Sequence, residues 1–275
     1  MLTPSRALTL AADSGKPLPR VDALEGLYSY GTTFRHGEIM MIAGRSGSQK
    51  SGFAMWLANS LDLNTLYFSG DMSRFTASSR IAGTRAGLTT EEVEAIMSPE
   101  GSAEAKADLM EVLGGSKIRF SFGSPITWRQ VDRELDAYVE TEDAFPELII
   151  FDNLMDFEGA ESDYTAQMAV MQSATELSRD TGSNVWLMHH ASDKSWEAKT
   201  DPFNPPSRQE VKGGLSEKPE KSLSVALDPN NLDFKIAVIK DRSGPNDPTA
   251  RRFITLRCEP ELTRFHRPGA LRGAL

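Results

Sequence analysis

The chain has 275 residues, of which 39% are apolar and 25% are charged, and its formal net charge is −9. These proportions are typical of a soluble globular protein with room for one large α/β domain or two small ones. The negative balance argues against a surface that is basic throughout, but it does not exclude a locally basic channel for nucleic acid. No apolar run is long enough to cross a membrane. Because Cys258 is the only cysteine, an internal disulfide is excluded, and we expect a cytoplasmic protein (in the host cytoplasm if the chain is viral) with no membrane partner.

The first residues of the chain have the composition of an arm. Residues 1–25 are rich in Pro, Gly, Ser and charged side chains, which predicts little structure of their own. In an assembly such an arm can link one subunit to the next, and a frayed terminus is the alternative. A short amphipathic helix is predicted over residues 21–30. We expect residues 26–275 to form one domain.

A glycine- and serine-rich loop organises this domain. It lies between a predicted strand, residues 39–43, and a predicted helix that begins near Phe53. The loop consists of Gly44, Arg45, Ser46, Gly47, Ser48, Gln49, Lys50 and Ser51. A strand, a tight loop ending in Lys-Ser and a helix form the layout of a phosphate-binding loop, whose backbone N–H groups surround an anion at a helix N-terminus. In this layout Lys50 reaches the β- and γ-phosphates and the hydroxyl of Ser51 binds Mg²⁺. A Gly/Ser turn that happens to precede a lysine is the alternative.

One position departs from the G-x-x-x-x-G-K-[ST] pattern, because Gln49 stands where the second glycine is expected. Any backbone strain at this point falls on a residue that has a Cβ atom. The substitution therefore argues against very tight nucleotide binding.

Two further predicted strands end in an acid. Residues 64–69 are followed by Gly70 and Asp71, and the apolar run 148–151 is followed by Asp152. Because open α/β sheets bind ligands at the C-terminal ends of their strands, both carboxylates are well placed for chemistry. Capping of the next helix, by Asp71 or by Ser73, is the alternative, and the two roles are compatible. Behind a phosphate loop, an acid such as Asp152 holds the water shell of Mg²⁺ opposite the serine of the loop.

The segments between these strands have apolar residues at helical spacing and contain capping signals, which predict helices. The predicted helices cover residues 74–86, 92–97, 103–113, 127–139 and 164–180, and residues 117–122 form another strand. Capping boxes are predicted at Thr89 and Thr127.

A further strand, residues 184–188, ends in His189 and His190. Adjacent residues of an extended segment project to opposite faces, so the two rings cannot easily bind one metal ion. We therefore expect one histidine to face the γ-phosphate side and the other to pack in the protein.

Residues 191–222 break the regular pattern, and loops of this length inside a compact domain are usually functional or disordered. Basic and acidic side chains balance within this loop, which weakens a DNA-contacting role without excluding it. Four strands are predicted after it, at 222–227, 234–240, 252–257 and 262–265.

A hairpin turn is predicted at residues 244–248. Lys240 and Arg242 lie on one face of the strand before it and present two cations near the tip, where a triphosphate would be clamped. Two solvated basic residues that protect an edge strand are the alternative, which the strand pattern alone favours.

Taken together, these stretches resemble the RecA-type motor domain of the DnaB-family hexameric helicases and their phage and plasmid relatives, over about residues 20–266. The similar stretches occur in the same order as in the family. Residues 44–51 resemble the Walker A loop, 68–72 the Phe-Ser-Leu-Glu-Met stretch, 148–152 the Walker B strand, 185–190 the strand that carries the γ-phosphate sensor, and 240–245 the Lys-x-Arg-x-Gly-Pro hairpin.

The resemblance implies a RecA-like P-loop NTPase core. This fold is α/β, with a mostly parallel twisted sheet flanked by helices and a C-terminal antiparallel β extension. It implies ATP and Mg²⁺ as cofactors. It also implies that Asp71 activates the attacking water, that His190 senses the γ-phosphate, and that Arg242 with Lys240 enters the ATP site of a neighbouring subunit.

The implied assembly is a homo-oligomeric ring, a hexamer, with single-stranded DNA in its channel and the loop 191–222 facing that DNA. The implied activity is that of an ATP-dependent helicase or translocase in replication or recombination. Besides Gln49 in the phosphate loop, two further departures from the family matter. Asp71 is one methylene shorter than the family's Glu, so the water must lie closer or hydrolysis slows. No counterpart of the family's N-terminal collar domain is recognised in the sequence.

Two alternatives from other classes remain open. One is a RecA-fold ATPase that regulates assembly or recombination without unwinding DNA. The other is a metal-dependent, structure-specific nuclease, in which Asp152, Asp156, Glu158 and Glu161 hold two metal ions at one strand end. Ordinary solvated acids after a Walker B strand explain this second group more simply.

Overall fold

A nine-stranded sheet organises the part of the chain that the computed structural model describes, residues 15–192 and 201–269. The strand order is β3-β2-β4-β5-β1-β6-β7-β8-β9. The strands are Ile39–Gly44 (β1), Thr65–Ser69 (β2), Ile118–Phe122 (β3), Leu148–Asp152 (β4), Asn184–His190 (β5), Lys221–Asp228 (β6), Asp233–Asp241 (β7), Ile254–Glu259 (β8) and Arg264–His266 (β9).

The strands from β3 to β6 pair in parallel, whereas β7, β8 and β9 pair antiparallel. Every residue of β1, β2 and β4 is buried, as expected for parallel strands covered on both faces. The prediction of a mostly parallel sheet with a C-terminal antiparallel extension is confirmed. The extension begins at β7, because β6 still pairs in parallel with β1.

Helices cover both faces of the sheet. They are Glu25–Ser29 (α1), Lys50–Leu61 (α2), Arg74–Ala86 (α3), Thr90–Met97 (α4), Ala103–Gly114 (α5), Trp128–Glu142 (α6) and Tyr164–Thr181 (α7). Alternate residues of β1 enter different cores, because successive strand side chains point to opposite faces. Met40 and Ile42 pack with α2 on one face, and Ile39 and Met41 pack with α6 and α7 on the other.

The two predicted capping boxes have different outcomes. The hydroxyl of Thr89 accepts a hydrogen bond from the N–H of Glu92, whose carboxylate accepts the N–H of Thr89, so this box forms as predicted. Thr127 caps α6 through the N–H of Gln130, but the Gln130 amide donates to Ser121 on β3 instead of returning to the cap. The second box is therefore only half formed, and α6 continues to Glu142.

The predicted N-terminal arm is described from residue 15 onward, and residues 1–14 lie outside the described residues. Leu18 is buried and donates its N–H to the carbonyl of Phe34 at 2.8 Å, and a 3₁₀ turn at Asp22–Leu24 leads into α1. The end of the arm therefore packs on the domain.

The described part of the predicted loop 191–222 stays irregular until β6 begins. Two 3₁₀ turns, Arg208–Glu210 and Lys212–Glu217, place Val211 and Leu215 in the core on the α6–α7 face. Residues 193–200 of this loop lie outside the described residues. Over the ranges that the structure describes, no helix combines the length and the apolar character needed to cross a bilayer.

Candidate nucleotide-binding site

The phosphate loop turns from the end of β1 into the start of α2. Gln49 adopts φ 60° and ψ 27°, a left-handed conformation that favours glycine, so the strain predicted for this position is present. Gln49 precedes the first residue of α2, so the loop ends at a helix N-terminus, where backbone N–H groups attract an anion. Lys50 and Ser51 belong to the first turn of this helix.

A cavity of about 220 Å³ opens over the loop. Its wall consists of residues 46–52 together with Asp71, Arg80, Asp152, Asn153 and His190. Asp71 follows β2, Asp152 ends β4 and His190 ends β5, so the carboxyl ends of three strands meet the loop in one place. The structure thus brings together the predicted site residues of these three strands.

The phosphate-loop side of the cavity fits an anion. Lys50 is 8% exposed, and its Nζ donates to the carbonyl of Arg45 at 3.0 Å. The hydroxyl of Ser48 is buried and has no hydrogen-bond partner within the described part of the chain. A buried hydroxyl without a partner is costly unless a ligand satisfies it. Together with the helix N-terminus, these groups fit the phosphates of a nucleotide.

Asp152 forms the opposite, buried wall. Its Oδ2 accepts a 2.6 Å hydrogen bond from the hydroxyl of Tyr67, and Ser51 also hydrogen-bonds to this carboxyl group. Burial raises the pKa of Asp152, against the lowering effects of these two hydrogen bonds and of Lys50. A divalent cation favours the charged form of a desolvated carboxylate. Mg²⁺ usually binds through one or two protein oxygens together with phosphate and water, so Ser51 and Asp152 fit this ion.

The acidic group after β4 does not form a metal cluster. The Asp156 carboxylate accepts the N–H of Asn153 at 2.8 Å, and a Cβ atom at Gly70 would lie 2.5 Å from its Oδ2. Asp156 therefore closes the 3₁₀ turn Leu154–Asp156 and packs against the backbone of the β2 end. Within residues 15–192 and 201–269, no group of three or more His, Cys, Asp or Glu side chains is arranged to hold a metal ion. The nuclease alternative, which needs Asp152, Asp156, Glu158 and Glu161 to act together, is therefore not supported.

Asp71 is exposed at the cavity. Of the two predicted capping residues, Ser73 and not Asp71 caps α3, because the hydroxyl of Ser73 accepts the N–H of Thr76 at 3.0 Å. The carboxylate of Asp71 is thus available to a water molecule in the cavity.

The two histidines take different environments, as the alternation of the strand predicts. His190 lines the cavity, whereas His189 is buried with its Nε2 3.0 Å from the carbonyl oxygen of Lys212. Burial is the main reason why the pKa of His189 is lowered to about 4, and the hydrogen bond to Lys212 partly opposes it. His189 is therefore neutral at physiological pH.

Arg45 belongs to the phosphate loop, but its side chain extends away from the nucleotide cavity. Nη1 donates to the carbonyls of Pro202 (3.1 Å) and Asn204 (3.0 Å), and Nη2 lies 2.7 Å from Oε1 of Glu210. Only the backbone of Arg45 remains beside the phosphate site. The side chain instead ties the phosphate loop to the described part of the loop 191–222.

Lys240 and Arg242 do not line this cavity. Lys221 pairs with both Met40 and Asp241, so Asp241 lies level with Met40, four residues before Gly44. At about 3.3 Å per residue this is roughly 13 Å along the strand from the start of the phosphate loop. The two cations are therefore at the opposite edge of the sheet from the nucleotide cavity of their own chain.

The side chains of Lys240 and Arg242 both donate to backbone carbonyls of one segment, residues 217–219. Lys240 donates to the carbonyls of Glu217 and Pro219, and Arg242 donates to the carbonyl of Lys218 at 3.0 Å. Partial burial, followed by the charge of Arg242, lowers the pKa of Lys240 to about 8. Beneath them, Asp241 forms a buried ion pair with Lys221 at 2.9 Å, which anchors the strand end.

Sequence reasoning missed three residues of the cavity region. Tyr67 has the appearance of an ordinary residue of a buried strand, Asn153 follows the acid already singled out, and Arg80 lies in the middle of a helix. Asn153 could have been inferred from its position next to Asp152, whereas only the fold brings Tyr67 and Arg80 to the site, so no local pattern identifies those two.

The fold and the site together define a P-loop ATPase domain with RecA-like architecture. The chain belongs to the AAA domain family, whose sequence profile matches residues 3–195. It is similar to two curated phage proteins. The Gene 65 protein of Mycobacterium phage L5 is 28% identical over 269 residues, which cover 93% of this chain and 95% of that protein. The Gene 65 protein of Mycobacterium phage D29 is 26% identical over 230 residues, which cover 79% and 94%.

Solved structures show the same fold at low sequence identity. A solved ATPase domain superposes with a TM-score of 0.74 at 14% identity, over 96% of this chain and 95% of that one. A DnaB-like replicative helicase, solved to show its interactions with primase, superposes with a TM-score of 0.77 at 13% identity, over 97% of this chain and 68% of that one. The expected RecA-like fold and the expected similarity to phage proteins are confirmed.

Proposed function

We propose that this chain is an ATP-dependent, DnaB-like motor that acts on single-stranded DNA as a helicase or translocase in phage replication or recombination. In this proposal the chain assembles into a ring, a hexamer, and hydrolyses ATP–Mg²⁺ at the seams between subunits. The observation that best supports the proposal is that the predicted site residues lie in two groups at different edges of the sheet. The cavity with Lys50, Asp71 and Asp152 lies at one edge of the sheet, and the cations Lys240 and Arg242 lie at the other.

This division suits a head-to-tail interface, in which different surfaces of neighbouring copies meet and a ring closes. One copy supplies the cavity, and the next supplies Lys240 and Arg242 to the same triphosphate. A cationic finger of this kind is worth on the order of 10³–10⁵ in rate in well-studied NTPases. Hydrolysis then depends on assembly, since an isolated chain lacks the finger in its own cavity.

Within one cavity the residues have separate tasks. Lys50 and the backbone of residues 44–51 bind and orient the phosphates, and Ser51 and Asp152 hold the metal position. Held by Ser51 and Asp152, a Mg²⁺ ion would supply positive charge to offset the negative charge of the phosphates. The carboxylate of Asp71 accepts a proton from the attacking water. His190 contacts the γ-phosphate side and reports its presence to the adjoining loop.

Two connections support coupling between the nucleotide and this loop. Ala191, the residue after His190, forms an antiparallel bridge with Val211, and the N–H of Ser192 donates to the carbonyl of Glu210 at 2.7 Å. Arg45 joins the same Glu210 to the phosphate loop. A change that His190 senses at the phosphates is thus passed to the loop through the next residue, Ala191. We propose that this loop faces single-stranded DNA.

A regulatory ATPase that switches its assembly state without unwinding DNA is the second candidate. The left-handed conformation of Gln49 and the short side chain of Asp71 favour it, because both features are expected to slow turnover. In this second candidate the same site acts as a switch, with single-stranded DNA as an effector of the ATPase.

The test uses the full chain with ATP, Mg²⁺ and single-stranded DNA. Sedimentation with and without a non-hydrolysable ATP analogue is expected to show a ring that the nucleotide stabilises, and ATP hydrolysis is expected to rise with single-stranded DNA. Displacement of a labelled strand from a forked duplex supports the motor. DNA-stimulated ATPase without displacement or translocation supports the regulatory candidate. If the full chain does not bind adenine nucleotides, both the motor and the regulatory candidate are contradicted.

A further inference from the structure

A second cation, Arg80, enters the nucleotide cavity from the same subunit. It lies in the second turn of α3, and helical side chains lean back toward the helix N-terminus. Its guanidinium therefore reaches back over the start of α3, where Nη1 lies 3.4 Å from Sδ of Met72, the neighbour of Asp71. Lys50 enters the cavity from the β1 side, so the two cations approach from different elements.

Arg80 has unused hydrogen-bonding capacity. No salt bridge joins it to any Asp or Glu in the described ranges, and the acceptor of its side-chain hydrogen bond is a thioether sulfur, a weak acceptor. The side chain is half-buried. A guanidinium carries five N–H donors in a planar fork that matches the oxygen atoms of a phosphate. An anion in the cavity would satisfy these donors.

The charge of Arg80 acts at the end of the cavity that holds Asp152. Burial raises the pKa of Tyr67 well above its usual value, and the charge of Arg80 opposes this rise. Tyr67 in turn donates its hydroxyl to Asp152. Because Nη1 of Arg80 lies beside Met72, the neighbour of Asp71, Arg80 is on the side of the proposed base.

We propose that Arg80 binds the γ-phosphate of ATP from within the subunit, opposite Lys50 and beside Asp71. This inference rests on the proposed nucleotide function. Arg80 then distinguishes ATP from ADP before any neighbour contributes, because only the triphosphate places an anion within its reach. It also stabilises the charge that develops on the terminal phosphate during transfer.

The test compares Arg80→Gln and Arg80→Lys with the wild-type chain. The affinities for ADP and for a non-hydrolysable ATP analogue are measured by calorimetry. We expect Arg80→Gln to bind the analogue about tenfold more weakly, as loss of one charged hydrogen bond implies, and to bind ADP like the wild type. Turnover is expected to fall on the order of 10²-fold. Arg80→Lys is expected to be intermediate, since it keeps the charge without the fork.

Arg74→Gln is the matched control. It removes the same charge from an exposed position on the same helix, and it is expected to change neither affinity. Equal weakening of ADP and the analogue by Arg80→Gln, or no weakening of either, would overturn the inference while leaving the nucleotide function intact. Wild-type protein that binds neither nucleotide would instead overturn the proposed function itself. Arg80→Lys, which retains stem and charge, decides the question if Arg80→Gln does not fold.

Discussion

The hydroxyl of Tyr67 donates a 2.6 Å hydrogen bond to the carboxylate of Asp152 in the interior of the sheet. Both residues are almost completely buried, and they lie on the adjacent parallel strands β2 and β4. Asp152, the acid of the proposed metal position, is therefore oriented by a strand that contributes no proposed metal ligand itself. Partners of this kind set both the direction and the basicity of a ligand.

Replacing Tyr67 with Phe tests this relationship. The change keeps the ring and removes the donor, so the pKa of Asp152 is expected to rise further and the affinity for Mg²⁺ to fall, by about tenfold in the range usual for such partners. The measurement is the Mg²⁺ concentration that gives half-maximal nucleotide binding. Tyr138→Phe on α6 is the control, since that tyrosine is also buried but lies outside the cavity. An unchanged Mg²⁺ requirement in Tyr67→Phe would contradict the assignment.

The side chain of Arg45 is expected to transmit nucleotide binding to the loop after β5. Arg45→Gln removes the ion pair with Glu210 and shortens the reach to the carbonyls of Pro202 and Asn204. In wild-type protein, hydrogen exchange of residues 201–210 is expected to slow when an ATP analogue binds. In the variant this response is expected to disappear while the affinity for the analogue changes by less than about threefold, because the loop backbone is kept.

Arg251→Gln is the control for this experiment, because Arg251 is exposed in the segment before β8 and lines, with Arg45 and Glu210, a cleft separate from the nucleotide cavity. It is expected to retain the wild-type exchange response. The proposed role of Arg45 fails if Arg45→Gln shows the same nucleotide-dependent protection as the wild type.

The lowered pKa of His189 predicts that the folded protein loses stability at acidic pH. Its pKa is lowered to about 4 in the folded protein, against about 6.5 in an unfolded chain. Between these values the unfolded state binds more protons, so stability is present above pH 6.5 and is lost as the pH falls toward 4. From pH 7 to pH 5 this group alone removes about 2 kcal/mol from the free energy of unfolding.

His189→Gln keeps a donor for the carbonyl of Lys212 but does not titrate. Its free energy of unfolding, measured by urea denaturation, is therefore expected to fall by about 2 kcal/mol less than that of the wild type over the same pH range. His36→Gln, in the turn before β1, serves as the comparison and is expected to follow the wild type. Parallel pH profiles for wild type and His189→Gln would show that His189 does not cause the acid sensitivity.

Local patterns were sufficient for the elements and for much of the cavity. The apolar runs before Gly44, Asp71 and Asp152 predict buried parallel strands, and parallel strands place their carboxyl ends along one edge. The bounds of α3 and α7 follow the prediction to within one residue because Ser73 and Gly182 supply caps, whereas β8 and β9 each begin two residues later than predicted. Proximity along one sheet edge can thus be inferred from the sequence.

The features that the sequence did not predict depend on contacts between segments that are far apart along the chain. Arg45 belongs to the phosphate-loop pattern, but its side chain binds residues more than 150 positions later, and no spacing rule predicts this. Arg80 has the appearance of a solvated helix residue until α3 is packed beside the cavity. Gln130 satisfies a capping pattern, yet the hydroxyl of Ser121 competes successfully for its amide. In each case tertiary packing decides between partners that the local sequence leaves equivalent.

A subunit-mixing experiment tests the shared site most directly. Lys50→Ala removes the lysine of the cavity, and Arg242→Ala removes the proposed finger, so each variant alone is expected to hydrolyse ATP at a small fraction of the wild-type rate. In mixed rings, an Arg242→Ala subunit still offers an intact cavity to the finger of a Lys50→Ala neighbour. For random mixing in equal amounts, roughly a quarter of the seams regain both parts. We therefore predict that mixing restores ATP hydrolysis to up to about a quarter of the wild-type rate. Full activity of Arg242→Ala alone, or no recovery in mixed rings whose assembly is verified by sedimentation, would contradict a site shared between two subunits.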